Sequence, residues 1–270
     1  MHLCTDVRTY LISLLLLING GCGLLTSKKE KSSIEKKVAI FYQHGTHKLL
    51  NKDYTSALDL LLKAEALEPN DTKIQNNIGM AYFFKHQNRL ALKHFLLAIN
   101  LDQTNSDARN NLASLYFHLK KYKLARKQYL IIQQDLIYKH QYRIHYNLGL
   151  IYLKQKERAK AIMSLKQALK EKSDYCAPSY ILGRLANQRF QYQQAYKYFK
   201  QATMGTCYDN AAPHYQQALT LIKMKKYLPA RLKLDEIIEN FDDEIVRQMA
   251  ITTKRNLLME TNVDPNHSSM

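Results

Sequence analysis

The sequence predicts an all-α protein, a solenoid of about six helix-turn-helix repeats. Small residues recur at a fixed spacing, since Gly45 and Gly79 are 34 positions apart and so are Gly149 and Gly183. The chain of 270 residues has only 8 Gly and 5 Pro, too few for the turns of an all-β sandwich or barrel. An apolar content of 46% is enough for a buried core, which argues against wholesale disorder.

Each unit has one small residue at this place: glycine in four units, Ala113 in the third and Ala218 in the sixth. Other positions repeat at a fixed distance from it. Twelve positions later each unit has an alanine: Ala57, Ala91, Ala125, Ala161, Ala195 and Ala230. Four positions further on each unit has a large apolar or aromatic residue: Leu61, Phe95, Tyr129, Leu165, Phe199 and Leu234. Small residues allow two helices to approach closely and large ones fill the space between layers, so these positions are predicted to form the core.

This period resembles that of the tetratricopeptide repeat (TPR), which has two antiparallel helices per unit. The resemblance implies a right-handed superhelical solenoid. The units are expected at 38–71, 72–105, 106–141, 142–175, 176–210 and 211–242, and the third carries two extra residues. Residues 243–260 are predicted to form an amphipathic helix that caps the last repeat, because terminal repeats need a polar outer face. Residues 261–270 are predicted to be a disordered tail.

The N-terminus reads as an export signal. Arg8 precedes a short apolar run, residues 11–18, which is well below the roughly 20 residues of a transmembrane helix and fits a signal peptide. Gly20, Gly21 and Cys22 resemble the lipobox of bacterial lipoproteins, although Asn19 stands where that box usually has Leu. An ordinary secretory signal remains the alternative interpretation.

The lipobox resemblance implies that residues 1–21 form a lipoprotein signal peptide, and that Cys22 becomes a diacylglyceryl-cysteine membrane anchor. Two acyl chains anchor a protein stably, whereas one binds only marginally. No Asp follows Cys22, which favours the outer membrane, with the protein on its periplasmic face. The polar residues 22–37 are predicted to be a flexible tether between the anchor and the repeats.

Cysteine usage predicts one disulfide. If Cys4 leaves with the signal peptide and Cys22 is lipidated, only Cys176 and Cys207 remain of the 4 cysteines. An exported protein meets an oxidising compartment, and these two residues open and close the fifth unit. A Cys176–Cys207 bridge is therefore expected, with two free buried thiols as the alternative.

In the TPR family, certain positions on the first helix of each unit usually face the ligand. The residues at those positions in this sequence predict an aromatic, partly basic groove for a protein partner. It would suit a peptide or helix that offers apolar anchors and some acidic residues. The alternative is that several of these side chains pack between layers. The candidate groove residues are Tyr42, Leu49, Lys73, Asn76, Met80, Phe83, Phe84, Asn110, Phe117, Tyr146, Tyr180, Arg184 and Tyr215.

Enzymatic chemistry is not expected, because the sequence has no Gly-rich phosphate loop, HExxH or GxSxG motif. His44 and His47 have an HxxH spacing without further ligands, so no metal site or cofactor is predicted. The net charge of +17 would suit an acidic protein or anionic lipid as partner, or it reflects a proteome that is generally rich in lysine. Nucleic acid and small-molecule substrates are not expected partners.

A lipobox followed by about six such repeats resembles the type IV pilus biogenesis and stability lipoproteins, which act as secretin pilotins. The resemblance covers residues 22 to about 242 and rests on architecture, which is a fold-level analogy. It implies a membrane-anchored TPR scaffold that binds a secretin subunit and promotes its outer-membrane localisation and assembly. The alternative is a general periplasmic adaptor lipoprotein for outer-membrane protein assembly or cell-wall enzymes.

Overall fold

The computed structural model describes residues 30–204 and 207–263. Helices and turns account for these residues, and no strand occurs among them, so the predicted all-α class is confirmed. The predicted signal peptide, the Cys22 anchor and residues 264–270 of the predicted tail lie outside the described residues. No helix of the described part is long and apolar enough to cross a bilayer.

The chain divides into two compact units, Met1–Lys121 and Tyr122–Met270, and the division falls inside the predicted third repeat. The helices of the first unit are α1 (30–50), α2 (Tyr54–Leu67), α3 (Thr72–Phe84), α4 (Asn88–Leu101) and α5 (Ser106–His118). Those of the second are α6 (Tyr122–Gln133), α7 (Gln141–Lys154), α8 (Arg158–Glu171), α9 (Cys176–Asn187), α10 (Tyr192–Ala202), α11 (Ala211–Lys223), α12 (Tyr227–Asn240) and α13 (Glu244–Val263).

Close helix approaches build the first unit, where each helix from α2 to α4 packs on the next one along the chain. A Cβ atom added to Gly45 of α1 would lie 2.8 Å from Leu61 Cγ of α2. One added to Gly79 of α3 would lie 2.6 Å from the Phe95 ring of α4. Leu61 and Phe95 are almost fully buried, so these glycines are required by close packing between paired helices.

The second unit repeats this arrangement, since each helix from α6 to α12 also packs on its successor. Gly149 approaches Leu165, and Gly183 approaches the Phe199 ring, with added Cβ atoms at 2.8 and 2.7 Å. The last helix, α13, packs on both α11 and α12. Its residues Ala250 and Leu257 join their buried core, so α13 covers the end of this unit.

Two kinds of backbone feature define the helix ends. Aspartate or asparagine side chains cap several N-termini, as where Asp71 Oδ1 accepts hydrogen bonds from the backbone N–H groups of Lys73 and Ile74 at 2.7 and 2.8 Å. The first helix of each pair ends with one residue in the left-handed region, φ 56° to 63°. These residues are Lys52, His86, Lys120, Lys156, Phe190 and Lys225.

The structure differs from the sequence expectation at both ends of the described chain. Residues 30–37, expected in the flexible tether, form the first turns of α1, with Ile34 placed four residues before the buried Val38. Helix α13 continues to Val263, three residues into the predicted tail. In both places a helix that packs at one end simply continues into polar sequence, since elongation adds a hydrogen bond for each residue fixed.

Cys176 and Cys207 form a disulfide whose Cα atoms are 6.1 Å apart. This spacing lies within the range that a disulfide requires. Cys176 begins α9 and Cys207 follows the end of α10, so the bridge joins the two ends of one helix pair. It closes a loop with a sequence separation of 31 residues.

Two histidines are buried with polar partners. His94 Nδ1 lies 2.7 Å from Gln75 Oε1, and Gln75 Nε2 donates to Glu65 Oε1 at 2.8 Å. His214 Nε2 lies 3.0 Å from the Tyr208 carbonyl oxygen. Burial lowers the pKa of both imidazoles, because it penalises their charged form, and the nearby glutamates oppose this only in part.

Substitution of Gly79 by valine is expected to destabilise the first unit. The new side chain would overlap the Phe95 ring, and overpacking of this kind lowers the free energy of unfolding by about 2 kcal/mol or more. Urea unfolding followed by circular dichroism measures the change. Ala66→Val, on the exposed face of α2, is the control for the helix propensity of valine and should cost well under 1 kcal/mol. Equal losses in the two variants would contradict the packing argument.

Stability is expected to fall as the pH drops below about 6.5, the unperturbed histidine pKa. Because the folded pKa values of His94 and His214 are lowered, the unfolded chain binds more protons in this window. The stability contribution is fully present above the unfolded pKa and is lost as the pH falls through the folded values. Urea unfolding between about pH 7.5 and 5 tests this. His94→Gln should flatten the slope, whereas exposed His44→Gln should retain it.

Loss of the disulfide is expected to lower the free energy of unfolding by about 3–4 kcal/mol, from the loop-closure entropy of a loop of this size. The double variant Cys176→Ser/Cys207→Ser, compared with the parent with and without reductant, measures the loss. Reductant should destabilise the parent and leave the double variant unchanged. Alkylation of both thiols in the native, unreduced protein would show that the bridge is absent.

Candidate protein-binding surfaces

Side-chain amides link neighbouring first helices within the first unit. Asn77 Nδ2 of α3 donates to Thr46 Oγ1 of α1 at 2.9 Å. Asn111 Nδ2 of α5 donates to Asn76 Oδ1 of α3 at the same distance. These bonds hold α1, α3 and α5 side by side and give their shared surface a fixed geometry. The Asn110 Oδ1 atom, on α5, is buried and has no hydrogen-bond partner among the described residues.

An aromatic cluster lies at the C-terminal ends of these helices. Phe84 stacks on Tyr54 with ring centroids 4.8 Å apart. Phe83 packs against Phe84 and meets the His118 ring edge-on at 5.6 Å. Phe84 is 41% exposed although it is large and apolar, so this cluster presents surface to solvent. Aromatic side chains of this kind act as anchors in protein interfaces.

The second unit has a separate group of tyrosines. Tyr175 packs edge-on against Tyr142 and Tyr146, with ring centroids 5.0 and 5.4 Å apart. Arg143 Nε donates to the Tyr142 hydroxyl at 3.0 Å, and Lys172 lies 5.2 Å from the centroid of the same ring. Burial, and then the neighbouring Tyr146, raise the pKa of Tyr175 to about 12. Burial also raises the pKa of Tyr146. Both phenols therefore stay neutral and can donate hydrogen bonds.

The predicted groove residues fall into two groups. Leu49, Asn76 and Tyr215 are buried, and the Tyr215 hydroxyl bonds Thr253 Oγ1 of α13 at 2.8 Å, so these three offer little surface to a ligand. The others are exposed or half-buried on first helices: Tyr42, Lys73, Met80, Phe83, Phe84, Asn110, Phe117, Tyr146, Tyr180 and Arg184. Arg184 lies over the Tyr180 ring at 5.9 Å, which pairs a cation with an aromatic face.

Some surface features were missed by sequence reasoning. Tyr54 begins α2 and Tyr175 immediately precedes α9. Both join the aromatic groups through tertiary packing, which leaves no direct signal in the sequence. Leu136 and Ile137 are 93% and 89% exposed in the loop that carries the two extra residues of the third repeat. The sequence signal for this loop was its two extra residues, which interrupt the 34-residue period.

Metal-binding clusters were also sought. The described part of the chain holds no group of three or more His, Cys, Asp or Glu residues that could bind a metal ion. His44 and His47 are exposed on α1, and the Asn51 amide approaches the His47 ring. The described surfaces are thus made of aromatic rings, amides and cations, groups that recognise peptides by packing and hydrogen bonding.

Two stretches of the sequence, residues 94–127 and 142–175, match models of the tetratricopeptide repeat. No curated protein matches the sequence at a significant level. Among solved structures, PilF of Pseudomonas aeruginosa is similar at 19% identity and a TM-score of 0.71, over 82% of this chain and 100% of that one. PilW, titled a widely conserved type IV pilus biogenesis factor, is similar at 18% identity and a TM-score of 0.68, over 79% and 98%.

A tetratricopeptide repeat protein from Parabacteroides merdae is similar at 16% identity and a TM-score of 0.61, over 84% of this chain and 89% of that one. Likeness at such low identity shows a shared fold, and function is carried by individual sites on a fold. The tetratricopeptide fold is a scaffold for protein interactions. The chain therefore carries tetratricopeptide repeats, and their helix-pair fold is the one found in PilF and PilW.

Proposed function

We propose that the protein is a membrane-anchored TPR scaffold that binds a protein partner, acting as a pilotin-like factor for a type IV pilus secretin. It would promote outer-membrane localisation and assembly of the secretin from the periplasmic face. The observation that carries this proposal is the similarity to PilF, because the matched region includes the whole of that chain. The sequence adds Cys22 in a lipobox-like context, eight residues before α1 begins at residue 30.

The physical roles of the parts follow from this proposal. The acyl chains on Cys22 would hold the protein on the membrane. Residues 22–29 would reach at most about 30 Å, at about 3.5 Å per residue, so the helical scaffold would stay near the bilayer. An apolar segment of the secretin would bind half-exposed aromatic residues within one unit, those of α3 in the first or those of α7 in the second. No covalent bond would be made or broken.

A pull-down from detergent-solubilised envelopes tests the partner and the anchor together. The tagged full-length protein is expected to recover secretin subunits, and its Cys22→Ala variant is expected to reduce secretin rings in the outer membrane while still binding subunits. Density-gradient fractionation of the envelope measures where the rings are. Recovery of outer-membrane assembly factors or cell-wall enzymes without secretin would overturn the pilotin role and favour a general adaptor.

Point variants test which surface binds. Phe84→Ala removes a half-exposed anchor from the first unit, and Arg184→Glu reverses an exposed charge on α9 in the second. Whichever of these two side chains anchors the partner, its loss is expected to reduce partner recovery about tenfold. Leu96→Ala is the matched control, since Leu96 is 46% exposed on the second helix of its pair. If all three variants recover the partner equally, the first-helix surfaces are not the binding site.

A further inference from the structure

Phe190 occupies an unusual position for a phenylalanine. It ends the turn after α9 with φ 59°, in the left-handed region. The five equivalent turns have lysine or histidine at this place. This conformation is strained for a residue other than glycine. The side chain is 77% exposed, so it contributes little to the core in return. A strained, exposed aromatic residue indicates a role in binding and not in stabilising the fold.

Phe190 stands at the rim of a groove with a volume of about 870 Å³, within the size range of ligand sites. Helices α8 and α10 form its sides. Its apolar base is lined by the half-buried Ile162 and Tyr198, which pack against the buried Leu182 and Leu185 of α9. Tyr192 packs edge-on against Phe190 with ring centroids 6.2 Å apart. The groove therefore offers two aromatic rings, Phe190 and Tyr192, beside an apolar base.

The charge of this groove has one sign. Lys166, Arg189 and Lys197 line it, and no acidic residue is among its described lining. The surrounding sequence shows the same bias, because residues 175–208 contain no Asp or Glu and carry four cations. Exposed glutamine amides at residues 191, 193 and 194 could bond a peptide backbone. These features are complementary to an acidic peptide with an apolar or aromatic side chain.

The chain's own N-terminal segment is a poor occupant. Residues 24–37 carry five lysines and two glutamates, so this segment would be repelled by the lysines and arginine of the groove. The Cys176–Cys207 disulfide ties the start of α9 to the chain after α10, so it restrains the helix pair that carries the rim. A restrained site loses less conformational freedom on binding.

We propose that the groove formed by α8, α9 and α10 is a second peptide-binding site, which takes an acidic segment with an apolar anchor between Phe190 and Tyr192. None of the candidate groove residues on the first helices lines it, and it goes beyond the proposed pilotin role. Lys166, Arg189 and Lys197 pair with the acidic side chains, and the anchor packs on the half-buried Ile162 and Tyr198.

Fluorescence anisotropy with the full-length protein in detergent tests this site. The probe is a short fluorescein-labelled peptide of Asp and Glu residues around a central Phe-Leu pair. Two control peptides replace either the acids by Lys or the Phe-Leu pair by alanines. The acidic Phe-Leu peptide is expected to bind at least about tenfold more tightly than either control, with an affinity that falls as salt is added.

Two glycine variants separate binding from folding. Phe190→Gly relieves the left-handed backbone and should keep or raise the melting temperature, because glycine adopts this conformation freely, while weakening the peptide about tenfold. Lys156→Gly is the matched control, since Lys156 has the same turn position outside the groove lining and should not affect affinity.

Three results would overturn the site: equal affinity for acidic and basic peptides, unchanged affinity in Phe190→Gly, or equal losses in both glycine variants. None of them depends on secretin recovery, which is measured with other variants. A failure of the pilotin role therefore leaves this site standing, and the reverse also holds.

Discussion

The close approach of paired helices at one small residue is the constraint on which the fold depends. Where that residue is glycine, the space that a Cβ atom would take is filled by a large side chain sixteen positions later in the chain. In both units these partners are almost fully buried, as Leu61 and Phe199 show. The rest of each pair follows from this contact, because it fixes how near the two axes lie and which face of each helix turns inward.

A core determined by so few positions leaves the remaining helical faces free to vary. In the first unit the first helices carry stacked aromatic rings and are linked to one another by side-chain amides. In the second unit tyrosines lie beside arginine and lysine. The disulfide restrains one helix pair and α13 covers the end of the last, so the second unit is held by contacts that the repeat pattern alone does not supply.

The sequence predicted the helix pairs well, because the packing of the paired helices directly determines the spacing of glycine, alanine and large residues. It predicted the candidate surface less well. Tyr215 holds a groove position in the family pattern, yet the α13 contact buries it, and such a contact between distant segments leaves no periodic signal. Asn76 is likewise taken up by Asn111 of the next first helix. Phe190 was detectable, since an alignment of the six turns shows it where the others have Lys or His.

The left-handed residue that ends each first helix has a consequence for how such a protein can diversify. Its backbone closes the turn, while its side chain projects into water and supports no core contact, as at Lys52, Lys156 and Lys225. Exchanging that side chain therefore alters surface chemistry at almost no cost in folding. Each repeat has one such exposed position. A single substitution there can therefore change which partner the surface binds, while the packing of the helices stays unchanged.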